Sequence, residues 1–359
     1  MTALPSLPRG RGAASNASGR FEALSREAFD DGWGEGDDAA PPLRTEVTPE
    51  KARVIITRND SPDISFDRSI NPYRGCEHGC IYCYARPAHA HMGLSPGLDF
   101  ESKLFFKPGA AHLLEGELSK PGYAPGAIHI GGNTDPYQPQ ERRLRVTRGV
   151  LEVMARFRHP LSIITKSVLI SRDLDLLGPM GAAGLARAAV SVTTLDRKLA
   201  RTMEPRAATP ERRLEAVRAL AAADVPTVVM FAPVIPGLND HELEAVLQRA
   251  AEAGAAGAGY VVLRLPMEIK DLFREWLAAR LPDRAERVMS LVRQMRGGKD
   301  YDAQWGKRMK GDGPIAELIG QRFRIAKRRF GLDRILPPLD VSQFRVPPKA
   351  GDQLDLFSA

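Results

Sequence analysis

Cysteine is scarce in this chain: only three occur among 359 residues, and all three lie between positions 76 and 83. An odd number of cysteines at this density is poor material for a disulfide framework. In a reducing compartment, such a group indicates a metal site instead. The scarcity of cysteine therefore concentrates the candidate chemistry in one short segment.

Long apolar runs and a secretory leader are also lacking. No eighteen consecutive apolar residues occur, so we expect no membrane-spanning helix. The first thirty residues contain no apolar core after a basic start, so we expect no secretion signal. With 43% hydrophobic and 26% charged residues, the composition is typical of a soluble globular protein, and the simplest location is the cytoplasm.

The net charge of +7 is unevenly distributed along the chain. Residues 1–50 carry five Arg against nine acids, whereas residues 264–349 carry twenty Lys and Arg against eleven acids. A basic carboxy-terminal third suggests a polyanionic partner, with nucleic acid as the leading candidate. A solvated helical surface explains the same charge equally well.

Composition divides the chain into four segments. Residues 1–50 are rich in Gly, Ala, Ser and acids and are predicted to be a mostly disordered N-terminal segment. Residues 51–265 alternate short β-type runs with helical stretches. Residues 266–335 are predicted to be a basic helical C-terminal region, and residues 336–359, with their Pro-Pro pairs, a flexible tail.

The alternation in the second segment predicts an α/β fold. Short β-type runs recur at 67–70, 127–130, 161–164, 189–192, 227–230 and 260–263, and one long helix is predicted over 142–157. Strand–helix alternation implies parallel strands, and about six repeats imply a partial (β/α)6 barrel with a C-terminal helical extension. Chemistry in such folds lies at the carboxyl ends of the strands. Polar residues follow the predicted strands there, at 131–133, 165–167, 193–194 and 264.

Cys76, Cys80 and Cys83 have the spacing C-x-x-x-C-x-x-C. A cubane cluster of four irons normally takes four thiolates, so three ligands leave one iron open. An open iron can chelate the amino and carboxylate groups of S-adenosylmethionine (SAM). The alternative is zinc with a histidine as fourth ligand, from His78, His89 or His91, although structural zinc sites usually draw ligand pairs from two separate segments.

The motif, with Tyr82 directly before the third cysteine, resembles the signature of the radical SAM superfamily. This resemblance implies a partial radical SAM barrel, a [4Fe-4S] cluster on the three cysteines, SAM, and an electron donor such as a flavodoxin or ferredoxin. It places Tyr82 against the adenine of SAM. The other SAM-binding residues that it implies are Gly131, Gly132 and Asn133 for the amino group, and Lys166, Ser191 and Thr193 for the carboxylate and ribose. Asn133 stands where the family has an acid.

Several stretches between residues 53 and 265 resemble the spore photoproduct lyase-like branch of that superfamily. They are Ser65–Arg86, Asn133–Pro139, Thr165–Ser167 and Glu204–Gly237. Spore photoproduct lyase uses a further cysteine as hydrogen-atom donor, and this sequence has no fourth cysteine. Either a tyrosine takes that role, with Tyr84, Tyr137 and Tyr260 as candidates, or the reaction differs.

The carboxyl terminus carries a second specific signal, Gln353–Phe357. It resembles the short peptide by which bacterial DNA polymerases and repair proteins bind the sliding clamp. Leu356 and Phe357 are the apolar anchors, and a peptide this short predicts weak binding, on the order of micromolar. The alternative is a tail tip that folds back on the domain or is disordered.

Together these features predict a radical SAM enzyme that acts on DNA in lesion repair, with a lyase reaction as one candidate. Alternatives are RNA or protein as the substrate, or a zinc-bound clamp adaptor without catalysis. The basic region mixes cations with aromatics, which suits phosphate contact and base stacking; the residues are Lys299, Tyr301, Trp305, Lys307–Arg308 and Lys327–Arg329. The alternative for this region is a cap on the side of the barrel, with Trp305 in its core.

Overall fold

The computed structural model describes residues 10–22 and 43–348. The strands in these residues are β1 (Glu46–Pro49), β2 (Ile56–Arg58), β3 (Arg68–Ile70), β4 (Tyr73–Arg74), β5 (Lys103–Phe106), β6 (Ile128–Ile130), β7 (Leu161–Thr165), β8 (Ala186–Ser191), β9 (Thr227–Val234) and β10 (Gly257–Val262). The helices are α1 (Leu98–Ser102), α2 (Ala110–Leu118), α3 (Glu141–Leu144), α4 (Val146–Arg156), α5 (Leu174–Ala182), α6 (Arg197–Met203), α7 (Pro210–Ala222), α8 (Leu243–Glu252), α9 (Ile269–Arg280), α10 (Pro282–Gln294) and α11 (Gly313–Arg329). Short 3-10 helices cover Arg86–Met92, Val168–Asp173 and Asp240–Glu242.

The larger sheet has seven strands among the described residues, in the order β10-β9-β8-β7-β6-β3-β2. All neighbours are parallel except β2, which runs antiparallel to β3 at one edge. Six parallel strands with helical crossovers form an open barrel, so the predicted α/β fold with a partial (β/α)6 barrel is confirmed. β10 and β2 are the two edges of the sheet.

Parallel neighbours need long crossover connections, and here helices form these connections and cover the sheet. In β7 and β9 every second side chain is fully buried and the intervening ones are half-buried, as expected when both faces are packed. The helix α7 begins with Thr209 and Pro210, in the positions that favour a helix start. The polar residues after β6, β7 and β8 therefore meet at one end of the sheet.

A second sheet, in the order β1-β5-β4, was missed by the sequence interpretation. β5 begins at Lys103, directly after α1, and β4 has only two residues. Such short strands show no alternation of their own, and they form because β1 and β5 pair across more than fifty residues. The predicted helix over 142–157 is also divided into α3 and α4, because Arg145 adopts a left-handed conformation with φ of 53°.

Part of the N-terminal segment, residues 10–22, is described and contacts the rest of the fold, while the prediction of a mostly disordered segment over 1–50 stays a prediction. Residues 10–22 run along the loops beside the barrel. Arg11 Nη1 donates to the Glu101 carbonyl at 2.6 Å, and the Ala13 N–H donates to the Glu101 carboxylate at 2.9 Å. Ala13 is fully buried. Contacts with a residue ninety positions away leave no local signal in the sequence.

The C-terminal region is helical as predicted, with α9, α10 and α11 in place. Its core contains Phe273 and Trp276, whose rings stack at 5.5 Å. α11 is anchored to α8 by the Arg322–Glu244 ion pair at 2.6 Å. Among the described residues, no helix combines the length and apolar character needed to cross a membrane.

The predicted flexible tail, residues 336–359, is packed against the barrel as far as it is described. Phe344 packs between Tyr123 and His159, and the Arg345 N–H donates to the Phe157 carbonyl at 3.0 Å. These contacts hold residues 344 and 345 against the barrel, and the flexible tail over 336–359 as a whole stays a prediction. The clamp-like motif Gln353–Phe357 lies outside the described residues.

A buried histidine at the amino-terminal end of the strands makes stability depend on pH. His159 Nδ1 donates to the Pro160 carbonyl at 3.0 Å, and Nε2 accepts from the Tyr123 hydroxyl at 2.8 Å. Burial lowers the pKa of His159 to about 4, and burial lowers the pKa of His89 and His129 to about 4 as well. Between pH 6.5 and 4 the unfolded chain therefore binds protons that the folded chain does not.

We predict that the free energy of unfolding falls as pH drops from about 6.5 to 4. Once the pH is below this window, His159 alone has lowered the free energy of unfolding by on the order of 3 kcal/mol. Denaturant unfolding at several pH values measures the slope, and His159→Gln should reduce it by roughly a third. The matched control is His112→Gln. This residue is exposed on α2, and its replacement should leave the slope unchanged. An equal slope in wild type and His159→Gln would refute this account.

Candidate active site

The three cysteines lie on one loop that follows β3 and β4 and approaches the carboxyl ends of the parallel strands. All three thiols are free; Cys76 and Cys80 are buried and Cys83 is half-buried. The Cys76 N–H donates to the Phe100 carbonyl at 3.0 Å, and the Ile81 N–H donates to the Met203 carbonyl at 3.0 Å. The loop is thus tied to α1 on one side and to α6 on the other.

Arg86 fixes the shape of this loop by donating hydrogen bonds to its backbone carbonyls. Its fully buried guanidinium donates to the Cys80 carbonyl at 2.9 Å and to the Gly79 carbonyl at 3.1 Å. It also donates to the carbonyls of Pro96 and Gly97, at 3.0 and 2.9 Å, and pairs with the buried Glu101 carboxylate. The planar fork of arginine suits such convergent acceptors. A buried ion pair is tolerated here because its hydrogen-bonding groups have partners.

Asp135 joins the cysteine loop to the strand ends. Its carboxylate accepts from the Thr165 hydroxyl at 2.7 Å and from the Lys166 N–H at 2.8 Å, and it lies 3.2 Å from Nδ1 of His78. Burial opposes charge on this carboxylate, but the interactions with His78, Thr165 and Lys166 outweigh it and hold the pKa at about 2. Asp135 also accepts from the Tyr137 N–H, which makes the local turn that precedes α3.

Tyr82 lies in a buried group of polar side chains at the ends of β7 and β8. Its hydroxyl donates to the Glu204 carboxylate and lies 3.2 Å from the Thr193 hydroxyl, and Nζ of Lys166 is 5.9 Å from the centre of its ring. The Ser191 carbonyl lies in the same group, accepting from Arg213 Nη1 at 3.1 Å. The structure therefore brings together four predicted SAM-binding residues.

Glu204 and Arg213 were missed by the sequence interpretation as site residues. They form a fully buried ion pair, and Glu204 also accepts from the Thr193 hydroxyl at 2.7 Å. Burial opposes charge on Glu204, but Arg213 and Lys166 outweigh it and lower the pKa of this carboxyl. The available signal was a charged residue on the otherwise apolar face of α7, where Arg213 lies among Leu214 and Val217.

Gly131, Gly132 and Asn133 form the turn after β6. Gly131 has a φ of 94°, and a Cβ there would lie 2.7 Å from Pro136 and 2.8 Å from the Ile164 carbonyl, so only glycine fits. The Gly132 carbonyl accepts from the Tyr84 hydroxyl. Asn133 is exposed, and its N–H donates to the Asn71 side chain at 2.8 Å. These three residues lie at the open edge of the site, apart from the buried group around Tyr82.

The three candidate tyrosines differ in position. Tyr84 is 48% exposed beside Cys83, and the guanidinium of Arg264 lies 5.1 Å from its ring centre. Tyr137 is fully buried and donates to Asp173 at 3.0 Å. Tyr260 packs against Phe323 at 4.6 Å, on α11. Only Tyr84 of the three is placed at the mouth of the site.

The donor set fits a four-iron cluster better than a zinc ion. Burial raises the pKa of Cys76 and raises that of Cys80 to about 12, so thiolates here need a compensating cation. The histidines considered for zinc face other groups: Asp135 for His78, the Lys103 carbonyl for His89 and the Phe21 ring for His91. Within residues 10–22 and 43–348, no three His, Cys, Asp or Glu side chains are grouped to hold a single ion. A four-iron cluster with one open iron needs only the three thiolates and no fourth side chain from the protein.

Comparison with known proteins gives a consistent result. The profile of the Radical SAM superfamily matches residues 70–250 of this chain. An uncharacterized protein of Mycobacterium tuberculosis is 36% identical over 233 residues, which cover 64% of this chain and 68% of that protein. An uncharacterized protein of Methanocaldococcus jannaschii is 27% identical over 199 residues, covering 55% of this chain and 71% of that protein.

The fold is similar to that of solved structures of spore photoproduct lyase. The structure complexed with dinucleoside spore photoproduct aligns with a TM-score of 0.54 at 15% identity, covering 79% of this chain and 79% of that chain. Another, with bound AdoMet and dinucleoside spore photoproduct, aligns with a TM-score of 0.50 at 15% identity, covering 79% and 77%. At this identity the likeness concerns the fold.

We predict that the Arg86–Glu101 pair determines the stability of the cysteine loop. Arg86→Met leaves the Glu101 carboxylate buried without its partner and should cost about 3–5 kcal/mol of unfolding free energy in denaturant titrations. Adding Glu101→Gln should restore part of this loss, because the uncompensated charge is removed.

The matched control is the exposed pair between Arg156 and Glu115, 2.9 Å apart. Arg156→Met should cost less than about 1 kcal/mol, because surface ion pairs contribute little. A cost for Arg86→Met no larger than that of the control, or strictly additive effects in the double variant, would contradict the prediction.

Proposed function

The chain belongs to the radical SAM superfamily, and on this premise we propose that it is a radical SAM enzyme acting on DNA in lesion repair. Cys76, Cys80 and Cys83 would hold a [4Fe-4S] cluster. The observation that carries the proposal is the placement of three free thiols on one braced loop, directly beside the polar group around Tyr82. The chemistry supplied by the bound cofactors is reductive cleavage of SAM to methionine and a 5′-deoxyadenosyl radical.

The residues around the loop have separate parts in binding SAM. Lys166 provides a positive charge for the SAM carboxylate, because an ammonium group and a carboxylate form a strong charge-assisted hydrogen bond. Tyr82 presents its ring to the adenine, and Ser191 and Thr193 face the ribose. Gly131, Gly132 and Asn133 receive the amino group through backbone carbonyls and the Asn133 side chain.

Glu204 and Arg213 act as positioning residues for Tyr82. The Tyr82 hydroxyl is held by Glu204, and Glu204 is held by Arg213, so the ring is fixed in one orientation before SAM arrives. A ring that is already oriented loses less conformational entropy on binding. Asp135 serves the loop in the same way, since it restrains His78 between two of the cysteines.

Tyr84 is proposed as the hydrogen-atom donor that replaces the missing fourth cysteine. Its ring lies at the mouth, between Cys83 and Arg264, whereas Tyr137 and Tyr260 are engaged elsewhere. The O–H hydrogen atom would pass to a carbon radical of the substrate, which leaves a tyrosyl radical on Tyr84. The Gly132 carbonyl accepts from the same hydroxyl and orients it.

DNA is proposed as the substrate because the region after the barrel is basic and the fold is that of a photoproduct lyase. RNA or protein remains the alternative substrate, and the zinc-bound clamp adaptor the alternative without catalysis. A flavodoxin or ferredoxin would supply the electron, and the cytoplasm is the proposed location. Clamp binding through Gln353–Phe357 stays a prediction from the sequence.

SAM cleavage is the test of this proposal. After anaerobic reconstitution with iron and sulfide, the reduced protein should release 5′-deoxyadenosine from SAM, measured by liquid chromatography. Cys80→Ala should abolish release, because the cluster loses one of three ligands. The control is Ile325→Ala, at an exposed position on α11, which should still release 5′-deoxyadenosine. A colourless protein with stoichiometric zinc and no product would overturn the enzyme assignment in favour of the adaptor.

Tyr84→Phe tests the hydrogen donor separately. In D2O the Tyr84 hydroxyl carries deuterium, so repair of a UV-irradiated oligonucleotide should place deuterium in the product, detected by mass spectrometry. Tyr84→Phe should still release 5′-deoxyadenosine but should lower deuterium incorporation by on the order of tenfold or more. Tyr260→Phe is the matched control. Equal incorporation in Tyr84→Phe and wild type would exclude Tyr84 as the donor.

A further inference from the structure

A turn in the basic region bridges the two edges of the open sheet. We call residues 304–310 the clasp. On one side, the Gly306 N–H donates to the Asp63 carboxylate at 2.7 Å, and Arg308 forms an ion pair with the same carboxylate and a hydrogen bond to Ser61. Ser61 and Asp63 lie between β2 and β3, at the first edge of the sheet.

The other side of the clasp is attached to the last strand. The Val262 N–H, at the end of β10, donates to the Met309 carbonyl at 2.9 Å. Since β10 and β2 are the two edges, the clasp spans the opening that six parallel strands leave in the barrel. Gly306 and Arg308 on one side and Met309 on the other thus connect the two edges of the sheet.

The clasp adjoins the candidate active site. Sδ of Met309 lies 3.6 Å from Nη1 of Arg264, and the guanidinium of Arg264 lies 5.1 Å from the ring centre of Tyr84. Tyr84 directly follows Cys83. A molecule bound at the mouth of the site therefore meets the clasp.

The clasp presents an aromatic ring to solvent. Trp305 is 56% exposed, whereas Trp276 is fully buried in the core of the same helical region. This contradicts the expectation of a cap with Trp305 in its core. The exposed ring has no packing role that accounts for it, and a ring at the rim of a site is well placed for a partner.

Cations and acids alternate around Trp305, with Asp300 and Asp302 before it and three cations after it. Lys307, Arg308 and Lys310 follow it within five residues. Asp312 and Asp63 pair with the first two, while Lys310 is exposed and forms no ion pair among the described residues. Nε of Arg264 is buried and has no hydrogen-bond partner in the described part of the chain. Asp63 also interacts electrostatically with Arg264. Among the described residues, the donors of this rim that stay available to a ligand are therefore the Lys310 ammonium and one N–H of Arg264.

We propose that the clasp binds DNA next to the reacting nucleotide, with Trp305 stacking on a base and Arg264 and Lys310 contacting phosphates. The proposal rests on the proposed function and adds the surface that holds the substrate strand. An exposed indole next to Lys310 and Arg264 suits a nucleic-acid strand, because base stacking and phosphate contact are the two main contributions to such binding. The ring is also free to accept any base, since every base has a π-face.

The experiment measures DNA affinity of the full reconstituted chain. A fluorescein-labelled single-stranded 20-mer is titrated with protein, and anisotropy is recorded at several salt concentrations. Trp305→Ala should weaken binding by roughly 5- to 150-fold, the range for loss of one stacked base. Trp305→Phe should retain most of the affinity. Lys310→Ala should reduce the slope of log K against log salt by about 0.7, the value for one phosphate contact on a single strand.

Ile325→Ala is the matched control, since Ile325 is 67% exposed on α11, away from the clasp contacts. Iron content and thermal unfolding establish that each variant is folded; if Trp305→Ala is not, Trp305→Phe and Lys310→Ala decide the matter. Wild-type affinity in folded Trp305→Ala, or an unchanged salt slope in Lys310→Ala, would overturn the clasp proposal alone.

If the wild-type protein does not bind DNA, both the proposal that DNA is the substrate and the proposal that the clasp binds DNA are refuted. The two failures are therefore distinguishable. Binding of an RNA 20-mer with tenfold higher affinity, or of an acidic poly-Glu peptide with the same dependence on Trp305, would assign the surface to that partner and refute the DNA proposal.

Discussion

The buried ion pair between Arg86 and Glu101 is the interaction on which the candidate site depends. The cysteine loop has hardly any regular structure, so its backbone carbonyls need donors from elsewhere. Arg86 provides donors to carbonyls on two sides of the loop, and Glu101 compensates its charge. Glu101 also accepts from the N-terminal segment at Gly12 and Ala13. One pair thus joins the loop, α1 and the chain's N-terminal part.

A similar arrangement recurs around the loop, where a buried carboxylate contacts a group that faces the site; Arg213 compensates the charge of Glu204, and Thr165 and Lys166 donate hydrogen bonds to Asp135. Asp135 connects His78 to the end of β7, and Glu204 connects Tyr82 to Arg213 on α7. Each of these buried charges is costly by itself and tolerable only when paired. The strand ends and the loop are therefore restrained relative to each other before any cofactor binds, which is the condition for a preorganised site.

Much of this could be predicted from the sequence, for identifiable reasons. The β-type runs and the motif at Cys76, Cys80 and Cys83 are local patterns, and they indicated the barrel and the location of the site. The buried Arg86–Glu101 pair was not predictable, because the two side chains, and the contacts of Glu101 with Gly12 and Ala13, come together only in the folded chain. β1 and β5 were missed for the same reason. Trp305 shows the limit most clearly: composition allowed either a core ring or an exposed one, and only the position of the clasp decides.

The central claim is that the cysteine loop holds a cluster with one iron open to SAM. Electron paramagnetic resonance of the anaerobically reconstituted, reduced protein tests it most directly. The account predicts a low-temperature signal of a reduced four-iron cluster that changes when SAM is added, because SAM becomes a ligand of the open iron. A cluster signal that SAM leaves unaltered, or a reconstituted protein without any cluster signal, would contradict the account.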